Sequence, residues 1–191
     1  MSTLHEVGPI TDAQVTTDAT LTTEDRLPVL VRAATDADWP EIWQALEPVF
    51  RAGETYTYPR DISEAEARAA WTGVPHVQVL VAEDPTDGRV LGTAKYLPNH
   101  PGAGSHVANA SFVVSGDAAG RGVGRALAEA TVDSARTDGF RAMQFNAVVE
   151  TNEAAVRLWQ SLGFDVLTTV PAAFAHPTAG FVGLHVMHRE I

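Results

Sequence analysis

The residues best suited to chemistry in this 191-residue chain form a glycine-spaced turn, Gly120-Arg121-Gly122-Val123-Gly124, between an apolar run, Val107 to Val114, and a helical pattern from about Arg125. Glycines at 120, 122 and 124 remove Cβ atoms from alternate positions. An anion can then approach the main chain closely while the N–H groups of the opening helical turn point at it. Such a turn seats phosphate. Each charge-assisted N–H bond contributes roughly 1.5–3 kcal/mol and the helix dipole about 0.3–1, so several together hold a pyrophosphate without a lysine. The same residues also fit an ordinary strand-to-helix turn whose glycines serve tight packing. A dinucleotide fingerprint would need GxGxxG early in a βαβ unit, and a P-loop would need GxxxxGK[ST]; neither pattern fits.

Two asparagines stand inside otherwise apolar strand patterns, Asn109 within Val107 to Phe112 and Asn146 within Met143 to Val148. Asn suits strand interiors poorly, and burying its amide unpaired costs about 1–3 kcal/mol. Either the two pair with each other or with nearby backbone, or they face a cleft and hold a ligand. A loop with two tyrosines, Tyr56 and Tyr58, beside Glu54 either borders a pocket or covers the edge of the core. Glu150, Glu54, His106 and His176 are the candidate general bases, directly or through water. His185 and His188 read as structural, and no His or carboxylate cluster has metal-ligand spacing.

The elements that must position these groups follow from pattern. Val29 to Ala33 is a short strand, and Thr35 or Asp36 caps a helix with Ile42, Leu46 and Val49 inward, which Pro48 ends. Ser63-Glu64-Ala65-Glu66 is a capping box opening a helix to about Trp71. Val77 to Glu83 and Val90 to Leu97 form a hairpin. Val107 to Val114 is the central strand, and the helix after the glycine turn buries Val123, Leu127, Ala130 and Ser134 and stops at Asp138-Gly139. Ala142 to Val148 is a strand and Asn152 to Leu162 a helix. Val166 to Val170 and Phe181 to His188 are strands separated by a long loop, Pro171 to Gly180. Residues 1–27, polar and without period, read as a flexible arm, and 28–191 as a single domain.

Composition bounds the function. A net charge of −11 argues against nucleic acid or an anionic membrane as the main partner. With no cysteine there is no disulfide, thiolate zinc site or thiol nucleophile. No run approaches 18 apolar residues and the first 27 lack a signal-peptide pattern, so the expected location is the cytoplasm.

Ala119 to Gly124 resembles motif A of the Gcn5-related N-acetyltransferase (GNAT) family, [QR]xxGx[GA]. Both glycine positions match, and Ala119 stands where the family has Gln or Arg. Downstream, Asn152 to Phe164 resembles the family motif NxxAxxLYxxxGF, with Trp159 in place of the tyrosine. The resemblance extends over 28–191. It implies an α/β (α+β) fold: a mixed, mostly antiparallel sheet flanked by helices, with a splayed parallel pair made by the strands at 107–114 and 142–148. It further implies acetyl-CoA as co-substrate, bound by Ala119, Gly120, Arg121, Gly122, Val123, Gly124 and Arg125, with Asn152 and Trp159 beside it. The backbone of Val113 or Val114 is the implied donor to the thioester carbonyl.

More particularly, Gly92-Thr93, Pro98-Asn99, Asn109, Phe145-Asn146, Thr151-Asn152 and Val170-Pro171 resemble the fungal L-azetidine-2-carboxylate and cis-4-hydroxy-L-proline N-acetyltransferases. That implies that Asn109 and Asn146 bind the imino-acid substrate and that Asn152 contacts coenzyme A, while Glu54 and the tyrosine loop differ in detail from that group. With Glu150 as the candidate base, the expected catalytic residues are Asn109, Asn146 and Glu150; Tyr56 and Tyr58, in a region that borders the acceptor pocket in the wider family, complete the expected substrate site with the two asparagines. The expected reaction is acetyl transfer to the amine of a small molecule, an amino or imino acid, by direct attack in a ternary complex. Alternatives are acetylation of another small amine, such as a herbicide or antibiotic, or acyl-CoA binding without turnover. A homodimer is compatible with the family.

Overall fold

The computed structural model describes residues 29–191; the expected flexible arm lies outside them. Seven strands form one sheet in the order β1-β2-β3-β4-β5-β7-β6. They are β1 Leu30–Ala33, β2 Gln78–Glu83, β3 Val90–Pro98, β4 Val107–Val114, β5 Ala142–Val149, β6 Asp165–His176 and β7 Gly180–Glu190. Four helices flank them: α1 Trp39–Ala52, α2 Glu64–Thr72, α3 Val123–Thr137 and α4 Glu153–Ser161. All neighbouring strands are antiparallel except β4 and β5, which are parallel and pair only at Val107↔Ala142 and Ala108↔Met143. Beyond those residues the two strands part, as the splayed pair requires.

The sheet has a core on each face. Trp39, Ile42, Leu46 and Phe50 of α1 and Trp71 of α2 pack on Val81 and Val113. On the other face, Ala128, Val132 and Ala135 of α3 and Trp159 of α4 pack on Ala108, Ala110, Met143 and Phe145. The stripe of α3 is therefore Val123, Leu127, Ala128, Thr131, Val132 and Ala135. Ala130 and Ser134, expected in that stripe, lie at its margin, only half-buried. The wider stripe suits a helix that covers several strands.

Three local readings are corrected. Pro48 does not end α1, which continues to Ala52 and closes at Gly53, φ 67°. The carbonyl left without a donor is that of Gln44, which is exposed, as is Pro48, so water can satisfy it. The segment Pro171 to Gly180 is not a long loop. β6 runs through it to His176 with register shifts between Val166 and Thr168 and between Val170 and Phe174, and Ala172 takes a positive φ of 53°. Bulges admit a proline and a bent backbone into a strand, which disguises its alternation. Finally, α3 begins at Val123 rather than 125, so the glycine turn merges with the helix's first turn.

The capping box at Ser63 and Glu66 forms as read. A second anchor ties β1, β2 and the entry to α1. Arg32 donates to Asp38 in a bidentate pair at 2.8 Å and to Glu83 at 2.6 Å. The guanidinium holds the Asp38 carboxyl well below the usual carboxylate range, helped by donation from Thr35. Asp38→Asn is expected to lower unfolding free energy by about 1.5–3 kcal/mol at pH 7. Because the folded carboxyl titrates below its unfolded value, that contribution is complete above about pH 4 and is lost as pH falls further. Urea titrations of the two proteins should therefore converge in acid.

Candidate active site

Where β4 leaves β5, backbone groups in the middle of the sheet lose their ladder partners. Asn99 N donates to Val107 O (2.8 Å) and Ser115 N to Leu91 O (2.9 Å), and Thr93 lies opposite Val113. Odd-numbered residues of β4 therefore bond to β3, and even-numbered ones turn their N–H and C=O toward β5. At Phe112 both groups are taken by one side chain: Phe112 N donates to the Tyr56 hydroxyl (3.0 Å), which donates to Phe112 O (2.9 Å). Two residues on, Val114 N–H faces the gap with no ladder partner on β5. Val113, the other expected donor, is turned toward β3.

At the same end of β4 lies the glycine turn. The first N–H there to find a backbone acceptor is that of Ala126, which donates to Gly122 O at 3.1 Å. Among the described residues, the N–H groups of Arg121 through Arg125 have no acceptor, and α3 has no side-chain cap. Gly120 and Gly122 take φ of 76° and 86°, the left-handed region that favours glycine. A Cβ on Gly120 would meet nothing within 4 Å, so space is left over this backbone. Ala119 is extended and leads into the turn. Val123 is buried, so only its main chain is available. The Arg125 guanidinium donates to Ser161 Oγ (2.7 Å), joining α3 to α4.

The gap opens into a cleft of about 550 Å³ between β4, β5 and the loop after α1, in the range for small-molecule sites. Asn109, Asn146, Tyr56, Tyr58, Asn152 and Trp159 all line it. The two strand asparagines do not pair with each other. Asn146 Nδ2 donates to Asn99 Oδ1 (2.7 Å) and its Oδ1 accepts from Gln144 Nε2 (2.9 Å). The Asn109 carboxamide has no hydrogen-bond partner among the described residues and stays half-exposed in the cleft wall. Asn152 caps α4, its Oδ1 accepting from Ala155 N (3.3 Å), which leaves its amide N–H₂ to donate. Trp159 packs its ring against Phe112 and Phe145, both centroids 4.8 Å away, and forms the floor rather than a titratable group.

Other expected residues fall elsewhere. Glu150 is not brought to the cleft: its carboxylate accepts from Gly183 N on β7, and its own N–H donates to Gly183 O (3.0 Å). Coming just after β5, it ties that strand's end to β7. Glu54 lines an adjoining groove with Ser115 and Glu41. His106 is exposed against Ala103 O, and His176 accepts from Thr178 and Ala179 in the β6–β7 turn. The Tyr56 hydroxyl is spent on Phe112, so of the two tyrosines only Tyr58 keeps a polar tip toward the cleft.

Lys95 was not anticipated. It is 6% exposed, lines the cleft, and donates from Nζ to Ala70 O (2.6 Å) and to Tyr58 Oη (3.2 Å). Its signal in the sequence is a lone cation in the apolar run Val90 to Leu97. β3 is covered on both faces, so alternation could not say which way the lysine pointed. Among the described residues, no group of His, Cys, Asp or Glu could hold a metal ion, and no helix is long and apolar enough to cross a membrane.

Comparison with known proteins bears on the fold and the family. The model of the acetyltransferase (GNAT) family matches residues 39–164. A GCN5-related N-acetyltransferase from Kribbella flavida is 55% identical with a TM-score of 0.81, over 85% of this chain and 98% of that one. A putative acetyltransferase from Salmonella typhimurium, solved with its cofactor acetyl-CoA, is 25% identical with a TM-score of 0.72, over 85% and 94% of the two chains. The N-acetyltransferase aca1 of Schizosaccharomyces pombe is 41% identical over 75 residues, 39% of this chain, and the match spans only 36% of that protein's length.

Removing the Tyr56 hydroxyl would orphan both backbone groups of Phe112. Tyr56→Phe is expected to lower stability by about 1–3 kcal/mol, more than removal of an exposed hydroxyl. Urea denaturation beside Thr57→Ala, an exposed neighbour, checks it.

Proposed function

This chain belongs to the GNAT acetyltransferase family, and from that membership we propose that it transfers acetyl from acetyl-CoA to the amine of a small amino or imino acid, by direct attack in a ternary complex. The observation that carries the reading is the run of unsatisfied N–H groups from Arg121 to Arg125 at one end of a cleft walled by Asn109 and Asn146. Free amides at a helix start, with the dipole behind them, are a pyrophosphate seat. The acetyl-CoA named with the Salmonella structure supports the same ligand here.

Acetyl-CoA supplies the acyl group as an activated thioester. Val114 N–H, unpaired at the gap, is the donor for the thioester carbonyl, and one such donor is worth about 2.7–4 kcal/mol in the transition state. Asn109 and Asn146 hold the acceptor, with Asn99 fixing the Asn146 amide. The chain has no cysteine, so no thiol carries the acyl group between donor and acceptor. Trp159 occupies the position of a family tyrosine and has no acidic proton to give. A thiol of pKa near 8.5 leaves as thiolate at pH 7 for about 2 kcal/mol, which makes that loss tolerable. Deprotonating an amine at pH 7 costs about 1.4 kcal/mol when its pKa is near 8 and about 4.6 when it is near 10.4, and a free amino or imino acid stands toward the upper figure, so its proton needs an acceptor. With Glu150 bound to Gly183, a water in the cleft is the proton acceptor we favour.

The strand-borne asparagines Asn109 and Asn146 in the cleft wall favour the azetidine-carboxylate type of acceptor. Exposed Leu167, Val170 and Phe181 on the β6–β7 hairpin favour a homodimer.

Thiol release from acetyl-CoA over a panel of amino and imino acids tests the activity; release with none of them would leave a binder. Gly122→Val is expected to raise the KM for acetyl-CoA about tenfold or more, because a β-branched residue resists φ of 86°. Unchanged donor kinetics would remove the phosphate assignment. Asn109→Ala should impair acceptor use more than donor binding, and equal losses in both would point to a structural role.

A further inference from the structure

Lys95 has no part in the chemistry above, yet among the described residues it is the one cation placed in the cleft wall. Its Nζ donates to two neutral oxygens, Ala70 O and Tyr58 Oη, and lies 5.0 Å from the centroid of the Trp71 ring and 5.9 Å from that of Tyr58. No carboxylate pairs with it among the described residues. Aromatic faces and a carbonyl orient an ammonium but leave its charge unbalanced, and an unbalanced buried charge is costly. Burial pushes the Lys95 ammonium down to about 8, with no acidic group opposing the shift. An ammonium has three N–H donors, and the protein uses two.

Position decides what the third could meet. On β3 and β4, Lys95 lies opposite Ser111 and Leu97 opposite Asn109. Lys95 and Asn109 therefore project from the same face, as diagonal neighbours roughly 7–8 Å apart, within reach of a long side chain. Both line the cleft into which Val114 N–H points. A small molecule with its amine held near Asn109 would bring a group on the adjacent carbon toward Lys95.

Resting on the reading of this cleft as the acceptor site, we infer that Lys95 is the specificity-determining cation of the acetyltransferase: it binds the carboxylate of the acceptor, so the enzyme selects amines that carry one. The occupant balances the buried charge and completes the donor set of the ammonium. Amines lacking the carboxylate gain nothing from the cation, so the acid of each pair is preferred by the charge-assisted hydrogen bond that it alone makes.

The test compares matched acceptors with and without the carboxylate: L-azetidine-2-carboxylate and azetidine, L-proline and pyrrolidine, L-alanine and ethylamine. The wild-type protein is expected to prefer the acid of a pair. Lys95→Met, similar in volume and uncharged, is expected to lower kcat/KM for the acid about 10- to 100-fold, the loss of one charge-assisted hydrogen bond. The decarboxylated partner and the KM for acetyl-CoA should change little. Lys95→Arg, which keeps the charge, should retain much of the preference. If Lys95→Met reduces both members of a pair equally, the lysine acts as a base or a structural group and the inference is overturned. Acetyl-CoA binding with no preference for any acid, or no turnover of any, also overturns it while leaving the family reading intact. Failure to bind acetyl-CoA would instead remove the reading on which it rests.

Discussion

A parallel pair that opens after two rungs exposes main-chain groups in the interior of a sheet, where unpaired N–H and C=O are expensive. Much of the surrounding structure answers that constraint. On β4, Phe112 is satisfied by the Tyr56 hydroxyl, which brings the loop after α1 over the gap. Among the described residues, Val114 is left with a free N–H, and the turn that follows adds further free donors at the start of α3. The acetyl-transfer reading is, in physical terms, a statement about what those donors are for. They sit at the end of a strand and the start of a helix, so the backbone of those elements sets where they point.

The two faces of the sheet divide the work. The β4 side chains at odd positions, Asn109 among them, project toward α1 and α2, while Phe112 and the packing of Trp159 belong to the α3 and α4 side. The gap joins the two sides. In the proposed mechanism the donor thioester comes from the glycine turn, the acceptor lies against β3 and β4, and they meet at Val114. The aromatic cluster of Phe112, Phe145, Trp159 and Phe164 backs the meeting point and gives it an apolar floor. A dry floor strengthens each hydrogen bond made above it.

Legibility in the sequence followed the locality of the signal. The strand at 107–114, the capping box at Ser63 and the helix that follows Asn152 depend on neighbours in sequence, and each forms close to where the pattern placed it. The bulged strand β6 did not declare itself, because Pro171 and the positive φ at Ala172 break alternation while the ladder with β7 continues. Glu150 looked available because its sequence neighbours reveal nothing of Gly183, 33 positions away. Lys95 was hidden for the same reason: its aromatic surroundings come from Tyr58 and Trp71, on a loop and a helix far from β3 in the chain. The choice between Val113 and Val114 required the parity of a hydrogen-bond ladder, which a lone strand does not carry.

The central claim is that the amides of Val114 and of Arg121 to Arg125 meet acetyl-CoA. Amide hydrogen exchange of the full chain, read residue by residue with and without acetyl-CoA, tests it most directly. Protection concentrated at Val114 and the turn from Arg121 to Arg125 is the predicted result. Exchange at those amides unchanged by acetyl-CoA under saturating conditions, with protection confined to other parts of the sheet, would contradict the account.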